Sequence, residues 1–191
     1  MFNEALQFVL KTVFDLFAVA ALTRFLLQYF RAPFRNPVSE FVNALTDFAV
    51  KPLRRVIPGW RGLDLASLTV AVGLEILLVL FLLGLKGAPI WTAGPHIVPL
   101  IVLLAIINLL KYFVYLLIAA VFIQAILSWM NPYSPVSSVL ESVTRPFLRP
   151  IRKWVPLVGR VDLSPLVLLL ICQLILMLPL TWLELFAIKM I

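Results

Sequence analysis

Four runs of mostly apolar residues constrain this sequence more than any other feature. A helix needs about 20 such residues to cross the roughly 30 Å hydrocarbon core of a bilayer. Residues 65–85 and 163–188 meet this condition clearly, and residues 97–129 are long enough for a tilted span. Because 63% of the chain is apolar and only 13% is charged, a polar surface all round is excluded. We therefore predict an all-α integral membrane protein.

The fourth run, residues 6–30, is interrupted by charged residues, but an internal repeat supports it. Residues 8–30 align with the third run at an offset of 98 positions. The same offset pairs Pro37 with Pro135, Pro52 with Pro150, Arg54 with Arg152, Pro58 with Pro156 and Asp64 with Asp162. We predict two parallel helix–loop–helix repeats and therefore four transmembrane helices. The first repeat covers residues 1–90, with spans 6–30 and 65–85 and loop 31–64. The second covers residues 97–191, with spans 97–129 and 163–188 and loop 130–162.

Each loop is predicted to contain an amphipathic helix lying at the membrane interface. Asn36 precedes Pro37, and Ser134 precedes Pro135, which is the pattern of a capping side chain followed by proline at the first helical position. Apolar residues then recur at helical spacing. Further prolines are expected to end these helices and shape the turns back into the membrane. They are Pro52 and Pro58 in the first loop, and Pro150 and Pro156 in the second.

The distribution of basic residues predicts the orientation of the chain. Of sixteen Lys and Arg residues, six lie in residues 31–64 and five in residues 130–162. Both loops are therefore expected to be cytoplasmic, with both termini outside. Nucleic-acid binding is not expected, because the positive charge is confined to short segments beside the membrane.

Paired cations recur in the two loops and are candidate binding residues. They are Arg54 and Arg55, with Lys51 nearby, and Arg152 and Lys153, with Arg149 nearby. They either attract anionic lipid, at about 1 kcal/mol per basic residue, or form a duplicated docking site for a partner or a ligand phosphate. Asp64 and Asp162, which precede the apolar runs, are expected to cap the following helices.

Polar residues inside the spans form a second group of candidates. They are Asp15, Arg24, Glu75, Asn108, Lys111, Gln124 and Gln173. Similar depth predicts ion pairs between Asp15 and Lys111 and between Arg24 and Glu75, whereas the three amides are expected to hydrogen-bond between helices. These polar residues either hold the bundle together or form an ion path, and the sequence is compatible with both roles. Gln173 occupies the position equivalent to Glu75, which argues against two equivalent titrating sites.

Enzymatic chemistry has little support in the sequence. The single histidine, His96, and the single cysteine, Cys172, have no clustered partners that could form a metal or nucleophile site. Phosphate-binding and hydrolase motifs are absent as well. We expect no enzymatic activity, no cofactor and no metal.

The sequences "LTDFAVKPLRRVIPGWRGLDL" and "SPVSSVLESVTRPFLRPIRKWVPLVGRVDLSP" resemble the YggT family of small integral membrane proteins. The motif positions are Asn36, Pro37, Pro52, Arg54, Pro58 and Asp64, and Ser134, Pro135, Pro150, Arg152, Pro156 and Asp162. The second copy departs from the pattern at Ser134. The resemblance implies paired membrane segments around a proline and arginine motif. It also implies roles in osmotic stress and cation handling, cell division, or cofactor assembly, and no catalytic residues.

Two functions follow as expectations. The first is a non-enzymatic inner-membrane organising or assembly factor whose loops dock a membrane-protein partner or anionic lipid of the cytoplasmic leaflet. The second is a small ion or proton channel that uses Glu75 and forms by association of several copies of this chain.

Overall fold

The computed structural model describes residues 1–33, 36–85, 97–131, 134–155 and 162–189, and these residues form an almost entirely helical bundle. The helices are α1 (Phe2–Tyr29), α2 (Pro37–Val56), α3 (Leu65–Leu85), α4 (Ile97–Met130), α5 (Pro135–Trp154), α6 (Ser164–Ile175) and α7 (Thr181–Lys189). Four helical segments are long and apolar enough to cross a membrane: α1, α3, most of α4, and Ser164–Lys189. The predicted all-α membrane protein with four spans is confirmed.

The last span contains a wider turn in its middle. A π-helical segment, Leu176–Leu180, joins α6 to α7 and contains Pro179. Proline has no amide hydrogen, and its ring would clash with the carbonyl four residues earlier in a regular α-helix. In the wider turn, the Thr181 hydroxyl donates a hydrogen bond to the carbonyl of Leu176, five residues earlier, at 2.8 Å. The helical path therefore continues across the predicted span despite the proline.

The amphipathic helices α2 and α5 begin where their capping residues predict. The Asn36 side chain accepts a hydrogen bond from the backbone N–H of Ser39 at 2.8 Å, and Ser134 accepts one from that of Val136 at 3.3 Å. Pro37 and Pro135 occupy the first helical positions. Both predicted helix starts are confirmed.

The predicted ends of these helices are wrong. Pro52 and Pro150 lie inside α2 and α5, which continue to Val56 and Trp154. A proline removes its own N–H from the helical ladder and crowds the carbonyl four residues earlier, but neither effect ends these two helices. The amides that follow still find carbonyls four residues back, as in the bond from Ile57 to Leu53 at 2.8 Å. Pro58 lies just beyond α2, whereas Pro156 is outside the described residues.

Both amphipathic helices lie at the same end of the bundle, called the loop end below. Val38 of α2 packs with Val139 and Val143 of α5, over Leu27 of α1 and Ala32 just after that helix. This shared position agrees with the predicted parallel orientation of the repeats, since inverted repeats would place their loops at opposite ends.

The predicted repeats share one core. Ala21 of α1, Ala71 of α3 and Leu109 of α4 form one buried cluster. Small residues allow helices to approach closely in a membrane, where packing rather than hydrophobicity holds helices together. Segments from residues 1–90 and 97–191 therefore pack against each other directly.

We expect Asn36→Ala to lower the free energy of unfolding by about 1 kcal/mol, because the first turn of α2 loses its side-chain cap. Thermal unfolding of the purified protein in mild detergent would measure the loss. Asn43→Ala, an exposed position on the same helix, is the matched control. Equal melting temperatures for the two variants would contradict a capping role.

Candidate functional site

A tight turn directs the chain from α2 into α3 at the loop end. Trp60 and Leu63 exchange two backbone hydrogen bonds across it, at 3.2 and 2.9 Å. Arg61 and Gly62 both have positive φ angles, 51° and 85°, as the two central residues of a type I′ turn require. The Gln28 side chain donates to the Gly62 carbonyl at 3.1 Å. The turn is thereby tied to α1, and Asp64 follows directly.

Asp64 is only 2% exposed and caps α3. Its carboxylate accepts hydrogen bonds from the backbone N–H and the hydroxyl of Ser67, at 3.3 and 2.6 Å. The predicted capping role is confirmed. The same carboxylate forms ion pairs with Arg54 at 2.5 Å and with Arg24 at 3.7 Å. Asp64 therefore joins α1, α2 and α3.

Arg24 completes this arrangement instead of reaching into the membrane. Its guanidinium donates to the carboxylate of Asp47 and to the hydroxyl of Thr46, both at 2.9 Å. The predicted pair with Glu75 is wrong. Arg24 lies near the loop end of α1, and its long side chain extends toward the polar end of the bundle, as basic side chains near a membrane interface do. We call Arg24, Asp47, Arg54 and Asp64 the first corner.

The two aspartates of the first corner are stabilised in their ionised form. Burial raises the pKa of Asp64, but hydrogen bonds from Ser67 and Arg54 lower it more, so the pKa lies below its ordinary value of 3.8. The hydrogen bond from Lys51 lowers the pKa of Asp47, burial opposes this, and Arg24 lowers it further. Two carboxylates thus provide ion-pair partners for three cations, Arg24, Lys51 and Arg54.

The second repeat keeps only part of this arrangement. Arg152 pairs with Asp162 at 2.9 Å, and Asp162 accepts from the backbone N–H of Ser164 at 2.9 Å, so its predicted capping role is confirmed. At the positions equivalent to Arg24 and Asp47, however, the second repeat has Phe122 and Arg145. A cation thus replaces an acid, and the arginine that is partly buried in the first repeat is lost.

A groove of about 530 Å³ opens between α4 and α5 beside this altered corner. It is lined by Gln124, Glu141, Thr144, Arg145, Leu148, Arg149 and Arg152. The Thr144 hydroxyl donates to the Gln124 side chain at 2.5 Å, which confirms an interhelical bond for Gln124. Within the described part of the chain, Arg145 and Arg149 form no salt bridge. We call this site the cationic groove.

The predicted basic residues therefore separate into different environments. Arg54 and Arg152 are held by aspartates, and Lys51 pairs with Asp47 at 2.7 Å. Arg55 and Lys153 are exposed, and Arg149 lines the groove.

Sequence reasoning missed Asp47 and Arg145. The signal that could have identified them is the charge reversal at these aligned positions.

The intramembrane predictions are partly wrong. Lys111 pairs with Glu184 of α7 at 2.5 Å, not with Asp15. Asn108 donates to Glu75 at 3.0 Å, which confirms its predicted interhelical bond. Gln173 is exposed on α6, so its environment differs from that of the buried Glu75. Similar depth was a poor guide to pairing, because depth does not show which helix faces meet.

Comparison with known proteins gives a consistent result. The CCB3/YggT family model matches residues 3–85 and again residues 103–183. An uncharacterized protein of Pseudomonas aeruginosa is 38% identical over 91% of this chain and 87% of its own length. The uncharacterized protein YggT of Escherichia coli K12 is 39% identical over 90% of this chain and 87% of its own length. No solved structure matches the chain.

We expect Asp64→Asn to lower the free energy of unfolding by about 1–2 kcal/mol at neutral pH, a modest value because Arg54 is partly exposed. A carboxylate whose pKa is lowered by folding stabilises the protein above about pH 4 and loses this effect as the pH falls further. Melting temperatures measured from about pH 6 to about pH 3 should therefore fall less steeply for this variant than for wild type.

Glu40→Gln, which removes an exposed carboxylate of α2, is the control and should keep the wild-type slope. A wild-type slope for Asp64→Asn as well would contradict the ion-paired role of Asp64.

Proposed function

The chain belongs to the CCB3/YggT family, and we propose that it acts in the bacterial inner membrane as a non-enzymatic organising factor that holds anionic phospholipid on its cytoplasmic face. The observation that carries this proposal is the cationic groove between α4 and α5. Three arginines line it with one glutamate. Its chemistry fits a lipid phosphate, because planar guanidinium groups bind phosphate oxygens through paired hydrogen bonds.

The position of the groove favours a lipid headgroup over a soluble anion. The groove lies where a spanning helix, α4, meets an amphipathic helix, α5, whose predicted location is the headgroup plane. Within one turn of Gln124, α4 exposes Phe122 and Ile126. A headgroup in the groove would therefore leave its acyl chains beside apolar helix surface.

The first corner supports the assignment by contrast. There, Arg24, Lys51 and Arg54 each form an ion pair with Asp47 or Asp64, so each of these cations already has a carboxylate partner. In the second repeat, the change from an acid to Arg145 leaves cations available. We infer that the first copy of the repeat serves structure and the second copy serves binding.

We expect Arg145→Gln with Arg149→Gln to weaken binding of phosphatidylglycerol about 30-fold, since each basic residue contributes about 1 kcal/mol. Purified protein in mild detergent would be titrated with phosphatidylglycerol or with phosphatidylcholine, and bound lipids counted by native mass spectrometry. Wild type should prefer the anionic lipid, and added salt should reduce that preference.

Arg55→Gln with Arg61→Gln is the matched control, because it removes two exposed cations from the first loop and should leave lipid binding near wild type. Unchanged binding after the Arg145 and Arg149 substitutions would overturn the proposal. The proposal would also be overturned if wild type and this variant bound lipid equally but only wild type captured a stoichiometric protein partner from the native membrane.

Roles in osmotic stress, cell division or cofactor assembly stay predictions, and so does ion conduction through Glu75.

A further inference from the structure

Two carboxyl groups lie inside the bundle, away from the cationic groove: Glu75 is fully buried and Asp15 is half-buried. Glu75 is 0% exposed and lies ten residues into α3, about 15 Å along the helix axis. One of its oxygens accepts from Asn108 at 3.0 Å. Its other oxygen, Oε1, is buried without a hydrogen-bond partner, and so is Oδ1 of Asp15 on α1.

The two carboxyl groups have one tyrosine as a common neighbour and little positive charge around them. The hydroxyl of Tyr112 on α4 lies close to both carboxyl groups, and Asp15 is near enough to Glu75 for their charges to interact. Lys11, one turn before Asp15, is exposed. Across the described ranges, neither Asp15 nor Glu75 takes part in a salt bridge.

The remaining charged groups nearby are already paired. Lys111, next to Tyr112 in the chain, is held by Glu184 of α7. Beyond Glu75 itself, α3 contributes no charged side chain. Lys11 is near enough for its charge to act on Glu75, but one cation cannot balance two ionised carboxylates.

Elementary electrostatics limits the charge that such a pair can carry. An ionised carboxylate buried without a cation costs several kcal/mol, and two neighbouring carboxylates resist simultaneous ionisation. Adding a proton removes one charge and turns a carboxyl oxygen from an acceptor into a donor. The two unpartnered oxygens then have a means of forming a hydrogen bond.

We propose that Asp15 and Glu75 form a proton-binding site inside the membrane that holds at least one proton at neutral pH. Binding converts a carboxylate and a proton to a carboxylic acid, and release reverses that step. The site lies where α1 and α3 of the first repeat meet α4 of the second, so its charge is linked to the packing between repeats. It does not depend on lipid binding in the cationic groove.

Infrared spectroscopy of the protein in lipid nanodiscs tests the proposal directly. At neutral pH the wild type should show the carbonyl band of a protonated carboxyl group, and Asp15→Asn with Glu75→Gln should abolish it. Glu40→Gln, at an exposed carboxylate, should keep the band. Glu75→Gln alone retains a side-chain oxygen that can accept a hydrogen bond from Asn108. The elution volume of each purified variant in size-exclusion chromatography and its thermal unfolding show whether it is folded.

A measurement on unmutated protein guards against misfolding of the double variant. Incorporation of glutamate or aspartate labelled with carbon-13 in the side-chain carboxyl shifts the band of whichever residue carries the proton. A shift with either label, together with loss of the band in the double variant, supports the site. Absence of the band from wild type, or its persistence in the folded double variant, would overturn the proposal whatever the outcome of the lipid titration.

Discussion

The buried carboxylate of Asp64 is the interaction on which the loop end of the bundle depends. It caps α3 through Ser67 and binds Arg54 and Arg24. One side chain thereby connects a spanning helix, an amphipathic helix and the start of the next spanning helix. A buried charge is tolerated only when it is paired and hydrogen-bonded. Hydrogen bonds from Ser67 and Arg54 keep this carboxylate ionised, and its ion pairs with Arg54 and Arg24 hold α2 and α1 to the start of α3.

The second repeat shows how one scaffold can support a different role. Arg152 and Asp162 retain the ion pair, so the turn back into the membrane is still held by charge. The change from Arg24 and Asp47 to Phe122 and Arg145 removes one cation from the protein interior and places another beside an open groove. The proposed lipid binding rests on this difference: the three cations of the first copy are ion-paired, whereas Arg145 and Arg149 of the second form no salt bridge within the described residues.

Much of the fold could be predicted, but the pairing of charged side chains could not. Arg24 and Lys111 were assigned partners by depth along their helices, and both form ion pairs elsewhere, with Asp47 and with Glu184. Asn108 and Gln124 were expected to bond between helices and do so. Long cationic side chains can reach partners several residues away in depth, whereas short amides bond only to what directly faces them.

The sequence by itself determined the membrane spans, the capped starts of α2 and α5, and the capping roles of Asp64 and Asp162. These features depend on hydrophobicity and on hydrogen bonds between residues close in the chain. Only the tertiary structure decided that Glu75 lies near Asp15, that Arg24 closes the first corner, and that Arg145 and Arg149 share a groove. Those outcomes depend on how the helices are rotated and packed against one another, which residue spacing along the chain does not encode.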